Sequence, residues 1–323
     1  MASVSVEASA WTRRGRVLAR LPRLVAEARR HPAWLPVFVA GRLLPVRRAM
    51  RWMANRHAGV PQADTEVSPA EAIRGPTPTE VVAALRADGI ATGLALQSAI
   101  LDELRAYAAS GRTCHGGAAW DIRFTPEEQP DAERRHGVPL LVGHYGAPDL
   151  DCPAVATVAR DRLAWQVARG YLGPAARLID IRLWWSFPSA RPRQRELAIA
   201  AQDNFHFDLS DWGELKLFFY VTDVGPENGP HRFVRGSHRR RGVLAQLSPF
   251  VTRSEAWLRH AYGAEAIQDV TGPAGSGIAE DPFGFHTGST LRAGRRLMLE
   301  LSFGVTGVRA RPHLARAALQ RMA

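Results

Sequence analysis

Residues 202–222 read QDNFHFDLSDWGELKLFFYVT and place a possible metal-binding pair just ahead of a buried strand. Side chains two positions apart in a strand lie on the same face, so His206 and Asp208 are expected to stand side by side. The run over 215–222 is apolar and aromatic over the length of a typical strand. A third ligand has to come from another part of the chain. Four histidines are candidates for it: His231, His238, His260 and His286.

Two histidines and one carboxylate can hold one face of a metal ion and leave three positions open, as in non-haem Fe(II) oxygenases. A His-x-Asp triplet is common, and a buried histidine held by a neighbouring carboxylate is its structural alternative. The triplet therefore predicts a metal site only in combination with the sequence around it.

Helical patterns dominate the first half of the chain and strand patterns the second. The predicted helices are 81–87, 97–109 and 155–171. The predicted strands are 178–185, 215–222, 232–234 and 297–305. Asn228-Gly229 predicts a hairpin turn between two strands. Helices followed by strands predict an α+β fold with a β-sandwich or jelly-roll core.

Six linked stretches carry a family resemblance: 85–90 (LRADGI), 202–208 (QDNFHFD), 215–224 (LKLFFYVTDV), 227–230 (ENGP), 235–238 (RGSH) and 281–288 (DPFGFHTG). Together they resemble the phytanoyl-CoA dioxygenase family over residues 79–305. That family belongs to the Fe(II)/2-oxoglutarate-dependent oxygenases, which have a double-stranded β-helix core. The resemblance implies an α+β fold with such a jelly-roll core and flanking N-terminal helices.

The resemblance also implies the metal ligands. His206, Asp208 and His286 would bind Fe(II), with 2-oxoglutarate as the co-substrate and O2 as the oxidant. His238 belongs to the Gly-Ser-His turn, which is usually structural in the family. Because Asp208 is present, the position that a halide takes in the related halogenases is filled. Hydroxylation, desaturation or ring closure is therefore the expected outcome.

The far carboxylate of 2-oxoglutarate needs a cation, and arginine holds a carboxylate through two parallel hydrogen bonds. The resemblance places this arginine shortly after the distal histidine, where Arg292, Arg295 and Arg296 compete. Over 296–303 one face is apolar, and Arg296 falls on the other face, which is polar enough to line a pocket. The apolar face is Leu297, Leu299, Leu301 and Phe303, and the other face is Arg296, Met298, Glu300 and Ser302. Arg296 is therefore favoured, and Arg295 is the alternative.

Four further residues are candidates for the pocket. Lys216 and Tyr220 share one face of the strand 215–222 and could reach 2-oxoglutarate, while Trp184 and Gln202 could form the pocket wall. The alternative for each aromatic residue is that it only fills the core.

The function implied by the resemblance is an Fe(II)/2-oxoglutarate-dependent dioxygenase. It would hydroxylate or otherwise oxidise an unactivated C–H bond of a small-molecule or carrier-bound substrate, with release of succinate and CO2. The alternative is a catalytically inactive jelly-roll protein that docks to a membrane or an acidic partner through its basic N-terminus.

Two groups of arginines flank the expected mouth of the pocket and could receive a phosphate, a carboxylate or a carrier-bound acyl group. Their alternative role is a solvated charged surface. They are Arg191, Arg193 and Arg195 before the iron motif, and Arg235, Arg239, Arg240 and Arg241 after it.

The net charge of +11 is concentrated in residues 1–60, which hold 12 arginines and two acidic residues. The body is therefore nearly neutral, which argues against a protein that binds nucleic acid over its whole surface. Apolar stripes predict that residues 1–60 are helical. They would either cover the body or attach to an anionic membrane or acidic partner.

Two cysteines, Cys114 and Cys152, exclude a disulfide framework and are consistent with a cytoplasmic protein. The sequence contains no run of 18 apolar residues, so no membrane-spanning helix is expected. The expected division is a basic helical segment over 1–60, a linker over 61–78, the oxygenase domain over 79–310 and a C-terminal tail over 311–323.

Overall fold

The computed structural model describes residues 28–29, 31–58, 71–189, 194–311 and 314. The helices are α1 (Leu35–Ala40), α2 (Leu44–Arg56), α3 (Pro78–Asp88), α4 (Ser98–Ala109), α5 (Gln129–His136), α6 (Pro148–Asp151), α7 (Pro153–Ala159), α8 (Arg162–Leu172), α9 (Gln194–Ile199), α10 (Val243–Leu247) and α11 (Glu255–Tyr262). The strands are β1 (Ile73–Arg74), β2 (Ile90–Leu96), β3 (Cys114–Gly116), β4 (Ile122–Phe124), β5 (Val142–His144), β6 (Arg177–Ser186), β7 (Glu214–Tyr220), β8 (His231–Val234), β9 (Ile267–Val270), β10 (Ser276–Glu280), β11 (His286–Gly288) and β12 (Arg296–Gly304).

These strands form two antiparallel sheets. The larger has the order β1-β2-β10-β7-β12-β6-β5-β3-β4, and the smaller has the order β11-β8-β9. Side chains of the two sheets meet in one apolar cluster, in which Phe218, Ile278 and Met298 of the larger sheet join Phe233 and Val270 of the smaller. The mixture of helices and antiparallel sheet that the sequence predicted is confirmed, while the jelly-roll topology stays a prediction.

The other face of the larger sheet packs on the helices. Leu297, Leu299, Leu301 and Phe303 of β12 join α8 in the main core, where the Phe303 ring lies 5.2 Å from that of Trp165. The intervening Met298 belongs to the cluster between the sheets. The predicted alternation of β12 is therefore confirmed, and it turns Arg296, Met298 and Glu300 away from the helices.

The predicted helix 155–171 is two helices, because Asp161 interrupts it. The Asp161 carboxylate accepts from the backbone N–H of Ala164 at 3.0 Å, which caps α8. Its second oxygen accepts from the N–H groups of Ala72 and Ile73 at 2.8 and 3.0 Å. The same residue therefore starts α8 and fixes β1, which lies within the predicted linker and pairs with β2.

The predicted hairpin at Asn228-Gly229 is wrong. Strands β7 and β8 belong to different sheets, so the chain crosses from one sheet to the other here. The Asn228 side chain accepts from Gly225 N–H at 3.0 Å and donates to the Ala293 carbonyl at 3.1 Å, and Gly229 has φ +70°. These bonds stabilise a wide turn tied to the β11–β12 loop rather than a two-residue hairpin.

The described part of the basic N-terminal segment packs on the body. The Trp34 indole donates to the Leu209 carbonyl at 2.6 Å, and Arg47 donates to the Asp211 carbonyl at 2.8 Å and lies 3.7 Å from Glu214. Helices α1 and α2 thus cover the chain that leads from the His-x-Asp motif into β7. Among the described residues, no helix has both the length and the apolarity needed to cross a membrane.

Candidate metal centre and cavity

His206, Asp208 and His286 come together between the two sheets. One ligand atom from each lies within 4.8 Å of the others. His206 and His286 exchange backbone hydrogen bonds of 3.0 and 2.8 Å across a single antiparallel bridge, and Asp208 N–H donates to the Pro282 carbonyl at 2.8 Å. The His-x-Asp segment is thus held against β11, although only its bridge residue pairs as in a strand.

Hydrogen bonds fix which ring nitrogen of each histidine is available. Nδ1 of His206 lies 2.9 Å from the Asn204 carbonyl, and Nδ1 of His286 lies 3.0 Å from the Gly284 carbonyl. A carbonyl only accepts, so each Nδ1 carries the proton and each Nε2 keeps a lone pair. Burial, together with the neighbouring His286, lowers the pKa of His206 to about 4, so this ring is neutral at pH 7. A neutral imidazole binds a metal through its unprotonated nitrogen, which is Nε2 in both histidines.

The third member, Asp208, is ionised and held by a lysine. Nζ of Lys216 lies 2.8 Å from Asp208 Oδ2, and Oδ1 lies 3.8 Å from His206 Nε2. Burial raises the pKa of the Asp208 carboxyl, but Lys216 and the two histidines outweigh this effect and hold it well below its usual range. One carboxylate oxygen thus faces the histidines and the other faces the lysine.

Arg296 lies in the same cavity with an incomplete set of partners. It is 4% exposed; its guanidinium donates to the Gly229 carbonyl and to the Ser186 hydroxyl at 3.1 Å, and no described residue accepts from its Nε. Burial lowers the pKa of this group. No described carboxylate forms an ion pair with Arg296, so a buried cation faces the cavity without an anion.

Arg295 and Arg292 point elsewhere. Arg295 lies over the Trp185 ring and donates to Glu127 at 2.9 Å, and Arg292 pairs with Glu227 at 3.3 Å. The structure therefore brings Arg296 to the cavity and leaves its two competitors on the surface.

The other predicted pocket residues divide into two groups. Lys216 and Trp184 line the cavity, but the Lys216 ammonium is already taken by Asp208 and by Glu300 at 3.4 Å. Tyr220 does not line it, because its hydroxyl donates to the Val270 carbonyl and accepts from His231 N–H. Gln202 is 1% exposed beside Gly288, and neither atom of its amide has a described partner.

The remaining candidate histidines do not join the cluster of His206, Asp208 and His286. His238 packs against Gly89, and His260 lies in α11. His231 lines the cavity, but its Nε2 is bound to the buried Glu280 at 2.6 Å.

The arginines after the iron motif do not surround the cavity. Arg241 is buried among the rings of Phe207, Phe283 and Phe285, and Arg235 donates to the Glu265 carbonyl. Residues 190–193 and the side chain of Arg195, which include the arginines before the motif, lie outside the described residues.

The cavity encloses about 620 Å³, and its outer part is built from residues that the sequence analysis did not single out. Asp180 and Arg182 lie on the same face of β6 as Trp184, and the alternation of that strand was a usable signal. His144, Trp120 and Arg311 reach the cavity from short strands and loops, for which the sequence carries no comparable pattern.

No family model and no curated protein matches the chain. Solved structures similar to it include the non-haem α-ketoglutarate-dependent epimerase SnoN from nogalamycin biosynthesis (16% identity, 70% of this chain and 81% of that chain, TM-score 0.46). HygX from Streptomyces hygroscopicus, with nickel, 2-oxoglutarate and hygromycin B bound, is 16% identical over 70% of this chain and 87% of its own (TM-score 0.45). EctD from S. alaskensis, with bound iron, is 19% identical over 78% of this chain and 85% of its own (TM-score 0.48). Similarity at this distance assigns no activity to the chain.

Proposed function

We propose that the protein is an Fe(II)/2-oxoglutarate-dependent dioxygenase that oxidises an unactivated C–H bond of a small molecule. The observation that carries the proposal is the pairing, in one cavity, of a two-histidine, one-carboxylate cluster with a buried arginine that lacks an anion. The first suits iron and the second suits a dicarboxylate.

The residues present fit both groups. His206 and His286 present unprotonated Nε2 atoms, and Asp208 presents one oxygen beside them. The side chains of Arg296 and Gln202, whose Nε and amide have no described partners, both lie beside Gly288: a Cβ there would meet Arg296 Nη2 at 3.5 Å and Gln202 Cγ at 3.8 Å. Buried polar groups without partners are rare, so these two indicate a polar ligand.

Each residue then has a defined task. The two histidines and Asp208 would hold iron on one face and leave the other face open. Arg296, steadied by Ser186, would hold the far carboxylate of 2-oxoglutarate. When bound, iron and 2-oxoglutarate supply the oxidant for C–H cleavage, with succinate and CO2 as co-products. The chain itself supplies the positions of these groups.

Metal binding tests the first half of the proposal. The native protein should bind one Fe(II), or one Ni(II) as a redox-stable substitute, per chain in an anaerobic titration. His206→Ala and His286→Ala should lose this binding, since each removes one of three ligands. His260→Ala is the matched control and should bind as the native protein does. Native stoichiometry in either ligand variant would contradict the assignment.

Co-substrate binding tests the second half. Arg296→Ala should weaken 2-oxoglutarate binding to the Ni(II)-loaded protein by about 2–5 kcal/mol, because a buried charged pair is lost. Metal binding should remain. Arg295→Ala removes the adjacent arginine, which faces outwards, and should have no effect. The reverse pattern would show that Arg295 is the co-substrate ligand.

A further inference from the structure

The outer part of the cavity carries a chain of alternating charges that begins at the metal centre. Lys216 joins Asp208 to Glu300, the Ser302 hydroxyl donates to Glu300 at 2.6 Å, and β6 lies beside β12 with Arg182 opposite Glu300. Arg182 donates through Nε to Asp180 at 2.6 Å, and Arg311 donates to the same carboxylate. The charge chain thus runs from the metal ligand towards the cavity mouth.

The two arginines are the most exposed members of this charge chain. The side chains of Arg182 and Arg311 are 42 and 27% exposed, whereas those of Asp208, Asp180, Lys216 and Glu300 are 20, 15, 11 and 4% exposed. A molecule in the outer cavity therefore meets guanidinium groups first. This difference favours an anionic group beside Arg182.

Arg182 also has donors to spare. Its Nε is taken by Asp180, but no described residue accepts a hydrogen bond from either terminal nitrogen. Arg182 is among the residues that line the open space of the cavity. Two parallel N–H groups on a planar fork match the two oxygens of a carboxylate.

Aromatic rings line the wall beside Arg182. The His144 ring stacks on Trp184 with centroids 5.7 Å apart, and Trp120 meets His144 edge-on at 4.7 Å. Burial, assisted by Arg182, lowers the pKa of His144 to about 3, so the wall is uncharged at pH 7. Trp120 is 41% exposed and has φ +58°, a backbone conformation that bulky residues rarely adopt and that recurs at ligand sites.

We propose that the outer cavity binds a carboxylic acid with a flat or apolar body, whose carboxylate pairs with Arg182 and whose body lies along Trp184, His144 and Trp120. That this acid is a substrate rests on the proposed function, in which the open face of the iron lies in the same cavity. Arg182 of β6 lies opposite Glu300 of β12 in the pairing register, and Arg296 lies four positions before Glu300 on β12. The acid site is therefore distinct from the proposed 2-oxoglutarate position.

Matched ligand pairs test the proposal. The probes are 2-naphthoate and 2-naphthamide, which differ in charge and have nearly the same shape. Both are titrated calorimetrically into the native protein with Ni(II) and 2-oxoglutarate bound. The naphthoate should bind about ten- to hundredfold more tightly than the amide. Equal affinities, or no measurable binding of the acid, would overturn the proposal.

Variants assign the preference to Arg182. Arg182→Gln should abolish the preference for the acid, and Arg182→Lys should restore part of it, which shows that the site still folds. Arg295→Gln is the matched control on the surface and should keep the native preference. A native preference in Arg182→Gln would overturn the assignment to this residue.

The same titrations separate this proposal from the proposed function. If the protein binds Ni(II) and 2-oxoglutarate but does not prefer the acid, only the substrate class fails. If it binds neither, while the acid preference persists in metal-free protein and depends on Arg182, the oxygenase assignment fails and the acid site stands.

Discussion

Lys216 holds the carboxylate of the proposed metal ligand Asp208. It is the single lysine in a chain with 41 arginines, and its ammonium bridges Asp208 and Glu300 in a buried position. A compact ammonium can donate to two carboxylates that lie on different sides of it, whereas a guanidinium is planar and donates along one plane. The geometry thus gives a physical reason for lysine at this position.

We expect Lys216→Met to weaken Co(II) or Ni(II) binding by about 10–100-fold, because residues that orient a metal ligand typically have effects of this size. The metal affinity of Lys216→Arg should lie between that of Lys216→Met and that of the native protein. The measurement is a competitive metal titration, with the Co(II) absorption spectrum as a report on coordination number. An unchanged affinity and spectrum in Lys216→Met would show that Asp208 is held without the lysine.

His144 gives a prediction on acid stability. Its pKa is about 3 in the folded protein and about 6.5 in an unfolded chain, so between these values only the unfolded state binds the proton. The free energy of unfolding therefore decreases as the pH falls below 6.5, and at pH 5 the decrease is about 2 kcal/mol.

His144→Phe keeps an aromatic ring in the stack and removes this titration. We expect its urea midpoint to fall less between pH 7 and pH 5 than that of the native protein. His136→Phe changes an exposed histidine and should keep the native pH dependence. Parallel acid profiles for all three proteins would contradict the neutral, buried state of His144.

At the scale of elements, β12 and the segment around Asp161 show what sequence can and cannot predict. The face of β12 was predictable because Leu297, Leu299, Leu301 and Phe303 recur at every second position, and a period of two has one interpretation in a strand. The break between α7 and α8 was not, because the apolar pattern continues through it. The three backbone N–H groups bound by Asp161 include two from residues 72 and 73, which are remote in sequence.

Asp161→Ala should lower the free energy of unfolding by about 2–4 kcal/mol, since it removes a helix cap and leaves buried N–H groups without acceptors. Asp161→Asn keeps one acceptor oxygen and should cost less. Urea denaturation measures both, and Asp102→Ala, an exposed change in α4, is the control. A loss below 1 kcal/mol in Asp161→Ala would mean that water or a neighbour replaces these bonds.

At the scale of the whole molecule, the N-terminal helices belong to the body that carries the site. Trp34 and Val37 are buried in the main core, and Arg47 is bound to the segment 211–214 that connects Asp208 to β7. The sequence left open whether this segment covers the body or attaches to an anionic surface. Charge and helical stripes could not separate the two, because both need the same amphipathic pattern.

A chain that begins at Gln62 should therefore unfold at lower urea than the full chain, or aggregate, because it exposes the core surface that Trp34 and Val37 cover. Arg47→Met should lower the urea midpoint of the full chain, while Arg48→Met, a change at its exposed neighbour, should not. The full chain should not sediment with anionic vesicles at low salt. A shortened chain that stays folded and keeps its 2-oxoglutarate binding, together with vesicle binding by the full chain, would contradict the packing role.

The cavity contains both residues that the sequence predicted and residues that it did not. The motif resemblance implied the set His206, Asp208 and His286, which the structure brings together, and the alternation of β12 separated Arg296 from Arg295. The outer wall escaped prediction because His144, Trp120 and Arg311 lie far apart in sequence and meet only through the order of the larger sheet.

Succinate release reports the turnover of 2-oxoglutarate and so tests the oxygenase assignment itself. The native protein is incubated with Fe(II), 2-oxoglutarate and O2 over a panel of carboxylic acids and their amides, and succinate is quantified. We expect iron-dependent succinate from the native protein and from Arg295→Ala. We expect none from His286→Ala, and none from Arg296→Ala when the 2-oxoglutarate concentration is low. Absence of succinate from the native protein under every condition, or equal succinate from His286→Ala, would contradict the oxygenase assignment.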